Sequence, residues 1–378
     1  MTTPAAAALR KTALNAIHRR SGAKMVDFGG WDMPVEYPSG LIKEHMAVRT
    51  GVGVFDVSHM GDIRVSGPGA FEAVQHISMN DAAQLSVGQA HYSALLYPQG
   101  TFVDDVIVHR LGERDFLLVI NAGTREKDYN WVRDNVRGFD CKAGDVGDLY
   151  TQIAIQGPRA MDVLSKLTDA NLSAVKYYWF THGTVCDLPD TLIARTGYTG
   201  EDGFEIYVPS DAAISANVWT RVLEAGAEFG AIPCGLGARN TLRLEAKMAL
   251  YGHEISESIT VLEAGLERYC KFEKGDFIGR SALETQKARG ISRTLAGIEM
   301  VQRGIARDGY KVFDDAEREI GVVTSGSFAP FLKKNIALAY VPLENSRLGS
   351  TVLVEIRSQR AKAQIVPTPF YKRPKKQS

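Results

Sequence analysis

Only four of the 378 residues are cysteine: Cys141, Cys186, Cys234 and Cys270. They form no CxxC pair and lie near no HxxxH spacing, which argues against a zinc site. With no signal peptide either, they read as small, apolar, reduced thiols in a cytoplasmic protein. No apolar run approaches the roughly 18 residues that a membrane span requires. Neither sign of charge is in excess, with Lys plus Arg and Asp plus Glu at 44 each, so nothing favours a polyanion such as nucleic acid as partner. Walker A, HExxH and GxSxG motifs are missing. The GLGAR stretch at 235–239 lacks the third glycine of a dinucleotide fingerprint. No repeat of fixed period and no low-complexity segment stands out. Acidic residues are missing before Asp27, while Arg10, Lys11, Arg19, Arg20 and Lys24 precede it. That stretch could be mistaken for a transit peptide; the reading adopted is a first amphipathic helix using Leu9, Leu14 and Ile17.

What is present is the make-up of a soluble globular protein, 45% hydrophobic and 23% charged, long enough for two or three compact units. Residues 102–108 (FVDDVIV), 116–120 and 150–155 read as strands, and 192–208 as two strands around a Gly-rich turn. Helices are expected over 124–136, from about Arg159, over 212–229 with Gly230 as terminator, and from Gly237 to about Leu250. The charged stretch 272–293 ends as a linker. Beyond it, short strands at 295–300, 310–313, 319–324, 335–341, 351–356 and 361–366 suggest a small barrel or sandwich. The fold class is therefore α+β with a separate all-β C-terminal domain.

Three stretches could carry chemistry. Two aspartates, Asp104 and Asp105, interrupt a run of strand formers, a conflict with local propensity that functional sites often show. Alternation places Phe102, Asp104, Val106 and Val108 on one face and Val103, Asp105, Ile107 and His109 on the other, so one carboxylate faces the buried side and needs donors or a cation. An edge strand with solvated acids is the equally plain reading. In RTGYTGEDGFEIYV (195–208), Gly197, Gly200 and Gly203 allow a tight turn or close backbone approach to a ligand. Glu205 follows on the face of Tyr207. A strand carboxylate beside an aromatic suits a flat heterocycle with two adjacent N–H donors, such as a pterin or guanine; a plain Gly-rich hairpin with an exposed Glu is the alternative. In PCGLGARNTLRLEAKMALYG (233–252), Arg239 lies in a first helical turn, at the wrong end of the dipole, and Arg243 shares its face. That pattern hints at an anion to bind or is a solvated face. Asn121 ends the run LLVIN as a helix cap or a polar ligand contact, with the cap favoured by local logic. His59 in DVSHMG has no Ser or Cys placed to form a triad.

Together with KMVDFGGWDMPVEY (24–37), KEHMAVRTGVGVFDVSHMG (43–61), YSALLYPQGTFVDDVIV (92–108), LLVINAGTREKD (117–128), LYGHEI (250–255), VTSGSFAPFLKKNIALAYV (323–341) and PFYKR (369–373), these stretches resemble, in order and over nearly the whole chain, the T-protein (aminomethyltransferase) family of the glycine cleavage system. The resemblance implies a pattern that begins near Arg10 and leaves no room for a long presequence. It implies three domains around a central channel: residues 1–50 with 146–285, an inserted unit at 51–145, and a C-terminal barrel at 286–378. It implies transfer of a one-carbon unit from the aminomethyl-lipoyl arm of H-protein to tetrahydrofolate, with release of ammonia. Asp105 matches the family's catalytic aspartate. Glu205 matches the carboxylate reading the pterin edge, Tyr92, Asn121 and Tyr198 match residues lining the folate, and Arg239 matches a folate-contacting arginine. No metal or flavin is implied. His109 stands where relatives often have Tyr, on the strand face of Asp105, and is read as contacting folate or tuning that carboxylate. Asn240 replaces the usual Asp after Arg239, Met248 replaces a folate-contacting Tyr, and the terminal cation is taken as Arg373 over Lys372. A tetrahydrofolate-dependent demethylase and a non-catalytic folate-binding assembly factor are the rival readings. The glycine turn here has no Cys of the kind the latter carries.

Overall fold

The computed structural model describes residues 8–374. Two sheets face each other, and a closed six-stranded barrel follows them. The six-stranded sheet runs in the order Phe180–Val185, Leu188–Ala194, Gly203–Pro209, Tyr150–Gln156, Gly53–Asp56, Ile232–Pro233. The five-stranded sheet runs Gln89–Leu96, Phe102–Gly112, Asp115–Ile120, Gly61–Ser66, Lys142–Asp145. Strand Gly53–Asp56, expected to open the inserted unit, instead pairs with Tyr150–Gln156. All four of its residues are buried, which suits an inner strand of that sheet. The barrel strands are Arg293–Met300, Lys311–Phe313, Glu319–Ala329, Lys334–Pro342, Thr351–Ile356 and Gln359–Val366, matching the six short strands expected. Among the described residues no helix is long and apolar enough to cross a membrane.

Each sheet carries helices on its outer face and keeps its inner face for the other sheet. Helix Ala212–Gly226, capped by the Asp211 carboxylate, buries Val218, Trp219 and Val222 against Ile153, Phe204 and Ile206. Helices Ala70–Ile77 and Arg125–Asn135 cover Ile63, Val106 and Leu118. Between the sheets, Leu117 meets Phe180, Leu192, Ala194 and Tyr207. Asp62 accepts a 2.5 Å hydrogen bond across the gap from Gln152. The second oxygen of Asp62 is buried without a partner, and burial above all raises its pKa to about 8.

Several expectations are redrawn. The first helix is short, Asn15–Arg20, and Leu9 lies outside it; Arg10 pairs as an isolated bridge with Trp31. Two of the basic residues there find partners: Arg10 stacks on the Trp31 ring at 4.1 Å and pairs with Asp148 at 2.6 Å, and Arg19 pairs with Asp32. The helix expected to reach Leu250 ends at Glu245, because Lys247 adopts a left-handed φ of 54°. The charged stretch after 272 holds a helix, Arg280–Arg289, before Gly290 turns the chain at φ 87°. A repeat also exists that the sequence hid. Residues 66–96 and 156–185 run through the same strand end, Gly-Pro turn, short helix, 3-10 turn and strand, 90 positions apart. Gly67 and Gly157 carry the same φ, 130° and 132°.

The joint to the barrel is ionic and buried. Arg243, 1% exposed, donates to Glu254 at 2.6 Å, to Ser325 of the barrel at 2.7 Å, and to Asn240 at 2.9 Å. Thr324 and Tyr340 of the barrel also hold Glu254, through its side chain and carbonyl. Arg243 is thus neither on a solvated face nor an anion site, and Asn240 serves Arg243 rather than Arg239.

Replacing Arg243 by Leu leaves Glu254 buried without its cation, and urea melts are expected to show a loss of about 3–5 kcal/mol. Asp62→Asn tests the inter-sheet acid. A raised carboxyl pKa gives stability that is full below the unfolded value of about 3.8 and gone once pH has passed about 8. The variant, which cannot ionise, is expected to gain on the order of 3 kcal/mol over wild type between pH 5 and pH 8.5 in paired melts.

Candidate functional site

Asp105 reaches the inter-sheet space by plain alternation along strand Phe102–Gly112, and a β-bulge interrupts that strand just before the two aspartates. The register to strand Gln89–Leu96 shifts between the Leu95–Asp104 and Leu96–Phe102 pairs, leaving Val103 as the extra residue. Strict alternation is broken there. Val103 joins Val106 and Val108 under the helices, whereas Phe102 turns toward the barrel-side core. Asp104 faces helix Arg125–Asn135, and Asp105 faces the opposite sheet.

One amide arranges both acids. Asn121 Nδ2 donates to Oδ1 of Asp104 and to Oδ1 of Asp105, each at 2.8 Å. Asn121 occupies a helix-cap position without capping, because its amide is committed to the two carboxylates instead. Tyr92 Oη donates to Asp105 Oδ2 at 3.1 Å and its ring packs on Tyr269 at 4.8 Å. Thr124 donates to Asp104 Oδ2 at 2.6 Å. Burial, then the charge of Asp104, raises the Asp105 pKa to about 7, against the lowering hydrogen bonds from Asn121 and Tyr92.

From the other sheet comes Glu205, opposite Ala194 and Ala154 in register. Thr196 donates to its Oε2. Burial raises its pKa, and the Thr196 hydrogen bond and Arg239 charge oppose that. The turn before it needs glycine at 197, because a Cβ there would stand 2.0 Å from the Gln156 side chain. Tyr198 donates to the carbonyl of Ala249, and Arg239 lies over its ring at 4.3 Å. The Arg239 guanidinium makes no ion pair or hydrogen bond among the described residues, although Tyr198, Glu205 and Asp105 all act on its charge. Arg373 sits beside the same turn, 3.4 Å from Asp202; Lys372 is exposed. Met248 contributes a carbonyl to Arg243 at 3.3 Å.

Tyr92, Asp105, Asn121, Tyr198, Glu205 and Arg239 are therefore drawn together, and Arg373 lies at the edge. His109 is apart. Four residues along the strand is about 13 Å, and its buried ring packs between the sheets against Phe180 at 5.5 Å and Tyr207 at 6.4 Å, without a hydrogen-bond partner. It is not among the groups that shift Asp105.

Two residues went unread and a third was set aside. Tyr178 holds a left-handed φ of 63°, a strained state for a tyrosine, and its phenol feels Glu205 and Asp105. The aromatic run Tyr177–Phe180 was the available signal. Tyr269, tilted against the Tyr92 ring, comes from the 3-10 turn Glu267–Tyr269, which carried none. His59, dismissed for want of a nucleophile, is fully buried with both ring nitrogens unpartnered, next to Phe28. Burial, then the Arg239 charge, lowers its pKa to about 3, so it is neutral. No group of three His, Cys, Asp or Glu side chains able to hold a metal occurs among the described residues.

Known proteins resemble this chain in sequence and fold. The GCVT N-terminal domain model matches residues 14–274, and the glycine cleavage T-protein C-terminal barrel domain model matches residues 293–372. The aminomethyltransferase of Acidobacterium capsulatum is 69% identical and that of Koribacter versatilis 66%, each over the full length of both chains. The crystal structure of glycine cleavage system aminomethyltransferase T from Bartonella henselae superposes with a TM-score of 0.90 at 34% identity, covering 96% of this chain and 98% of that one. On these matches, which span both sheets and the barrel, the chain belongs to the glycine cleavage T-protein family.

Proposed function

We propose that the protein is the aminomethyltransferase of the glycine cleavage system, working in the cytoplasm. It takes the aminomethyl group on the dihydrolipoyl arm of H-protein, releases ammonia, and passes the carbon to tetrahydrofolate as 5,10-methylenetetrahydrofolate. The observation that carries this reading is the inter-sheet site itself: two carboxylates from opposite sheets and one unpaired guanidinium, enclosed by tyrosines. In the division of the chain we propose, residues 1–50 and 146–285 form one unit, joined by strand Gly53–Asp56; the rest of 51–145 forms the second; and 286–378 is the barrel.

The groups suit a reduced pterin. Glu205 presents an acceptor to adjacent N–H donors, and Tyr92, Tyr198 and Tyr269 supply aromatic surface. Arg239, free of any carboxylate, takes an anionic or carbonyl oxygen. Loss of ammonia from a carbon bound to sulfur leaves an electron-poor one-carbon unit. Asp105 as carboxylate stabilises that charge and orients or deprotonates the accepting nitrogen. With its pKa near 7 it both takes and returns a proton at neutral pH. Asn121 fixes its direction. His109 closes the floor between the sheets and has no role in this reading. A tetrahydrofolate-dependent demethylase would use the same pterin contacts with a free small-molecule donor, so dependence of turnover on a lipoylated carrier separates the two.

Ammonia release from aminomethylated H-protein with tetrahydrofolate tests the assignment. Asp105→Asn is expected to bind tetrahydrofolate yet lose most methylenetetrahydrofolate formation; full turnover would remove Asp105 from the chemistry. In wild type, kcat/KM is expected to rise through pH about 7 as Asp105 ionises. Glu205→Ala is expected to weaken tetrahydrofolate binding by about 1–3 kcal/mol, read by calorimetry, because pterin donors are left unpaired.

A further inference from the structure

Behind Asp105 lies a second carboxyl group that the chemistry above does not use. Asp128, on helix Arg125–Asn135, is fully buried. Its Oδ1 accepts from Lys127 Nζ at 2.8 Å, and the same ammonium reaches the carbonyl of Val103 at the bulge. Its Oδ2 meets no donor. What it faces, within hydrogen-bonding reach, is the carboxyl group of Asp104. Asp104 is itself committed on both oxygens, Oδ1 to Asn121 and the Asp105 amide, Oδ2 to Thr124.

Two carboxylates without a cation between them repel, and buried ones at hydrogen-bonding distance persist only when one carries a proton. We propose that Asp104 and Asp128 share one proton, forming a singly charged acid pair that sets the orientation and charge environment of Asp105 through Asn121. This rests on the reading of Asp105 as the reacting carboxylate. Asp104 and Asp128 are positioning residues, since neither reaches the space between the sheets. The proton comes from solvent on folding and is consumed in no step.

The surroundings agree. The ionisable groups that act on the pair are Lys127 on the same helix, Asp105 next along the strand, and Tyr251 from the loop after the Arg239 helix, which Tyr97 and Glu257 approach in turn. Lys127 is the one cation among them, and it engages Asp128 Oδ1, 4.8 Å above the Tyr251 ring. Tyr251 Oη is buried without a partner and feels the charges of both Asp104 and Asp128. Burial, then the Asp104 contact, raises the Asp128 pKa. With one proton on the pair, a single negative charge sits behind Asp105. Loss of that proton at alkaline pH doubles it, draws Asp105 toward its protonated form and competes for the Asn121 amide.

Asp128→Asn and Asp128→Ala test this in the full-length enzyme. Asparagine offers Asp104 a donor without a titratable proton, whereas alanine offers none. The infrared difference between wild type and Asp128→Asn near pH 8 is expected to contain a carboxylic-acid C=O band, shifted in D2O, over and above the contribution of Asp62 that both proteins share, and that band is kept in Asp105→Asn. In the ammonia-release assay, Asp128→Ala is expected to lose ten-fold or more in kcat, with KM for tetrahydrofolate changed less than two-fold. Asp128→Asn is expected to recover most of that loss and to lack the alkaline limb of the wild-type pH profile. Absence of the band in the wild-type minus Asp128→Asn difference, or an Asn variant as impaired as the Ala variant, overturns the proposal. Should Asp128→Ala not fold, the band and the alkaline limb decide it. Full turnover by Asp105→Asn with the band present would instead overturn the role of Asp105 and leave the shared proton standing.

Discussion

The site depends on Asn121 holding two adjacent carboxyl groups that point to opposite faces of one strand. A single side-chain nitrogen has two N–H bonds, and each is spent on a different aspartate at 2.8 Å. Unit charges about 5 Å apart repel by roughly 3 kcal/mol at an effective dielectric of 20. A neutral amide cannot cancel that repulsion; it directs it. Asp105 is pinned toward the opposite sheet with an elevated proton affinity, and Asp104 is turned into the helix layer where Thr124 and Asp128 meet it. The bulge at Val103 lets Phe102 leave strict alternation for the barrel-side core without unpairing the strand.

The elements were largely legible because each rests on a local signal. Apolar runs mark the strands at 102–112 and 150–156, Asp211 caps its helix, and Gly230 ends the following turn at φ 72°. The bulge was not legible, since one extra residue leaves the composition of a strand unchanged. Nor was the burial of Arg243, because its partners Glu254 and Ser325 lie 11 and 82 residues away. The repeat at 66–96 and 156–185 escaped for a related reason. It preserves little identity beyond a Gly-Pro-x-Ala turn, with a left-handed glycine and a buried alanine, Ala70 and Ala160. For the site, residue-level reasoning found Asp104–Asp105 and the glycine turn but left each open against a bland alternative. The resemblance to a family joined them, as it could, because pairing across two sheets is a long-range fact.

The resemblance also placed His109 at the folate. A β-strand side chain four positions from Asp105 shares its face yet not its neighbourhood, and the ring is spent on packing between sheets. Facing is a weaker statement than contact, and only the register of the second sheet distinguishes them.

The arginines separate structure from function on one physical criterion. Arg49, deep beside the C-terminal tail, pairs with Glu201 and Glu245 and lies on the Tyr371 ring; Arg125 pairs with Asp145 and Asp148; Arg243 pairs with Glu254. Each gives up water and receives a carboxylate in return, which is the condition for a buried cation to be tolerated. Arg239 is half-buried, less enclosed than those three, and receives only an aromatic face, while desolvation lowers its pKa. Glu205 is close enough to act on that charge and yet bonds to Thr196 instead. Had the two met, the inter-sheet space would be electrostatically closed, with neither a free acceptor nor a free cationic donor. Stability is forgone there, and the fully paired arginines around it keep the two sheets and the barrel in place while it is.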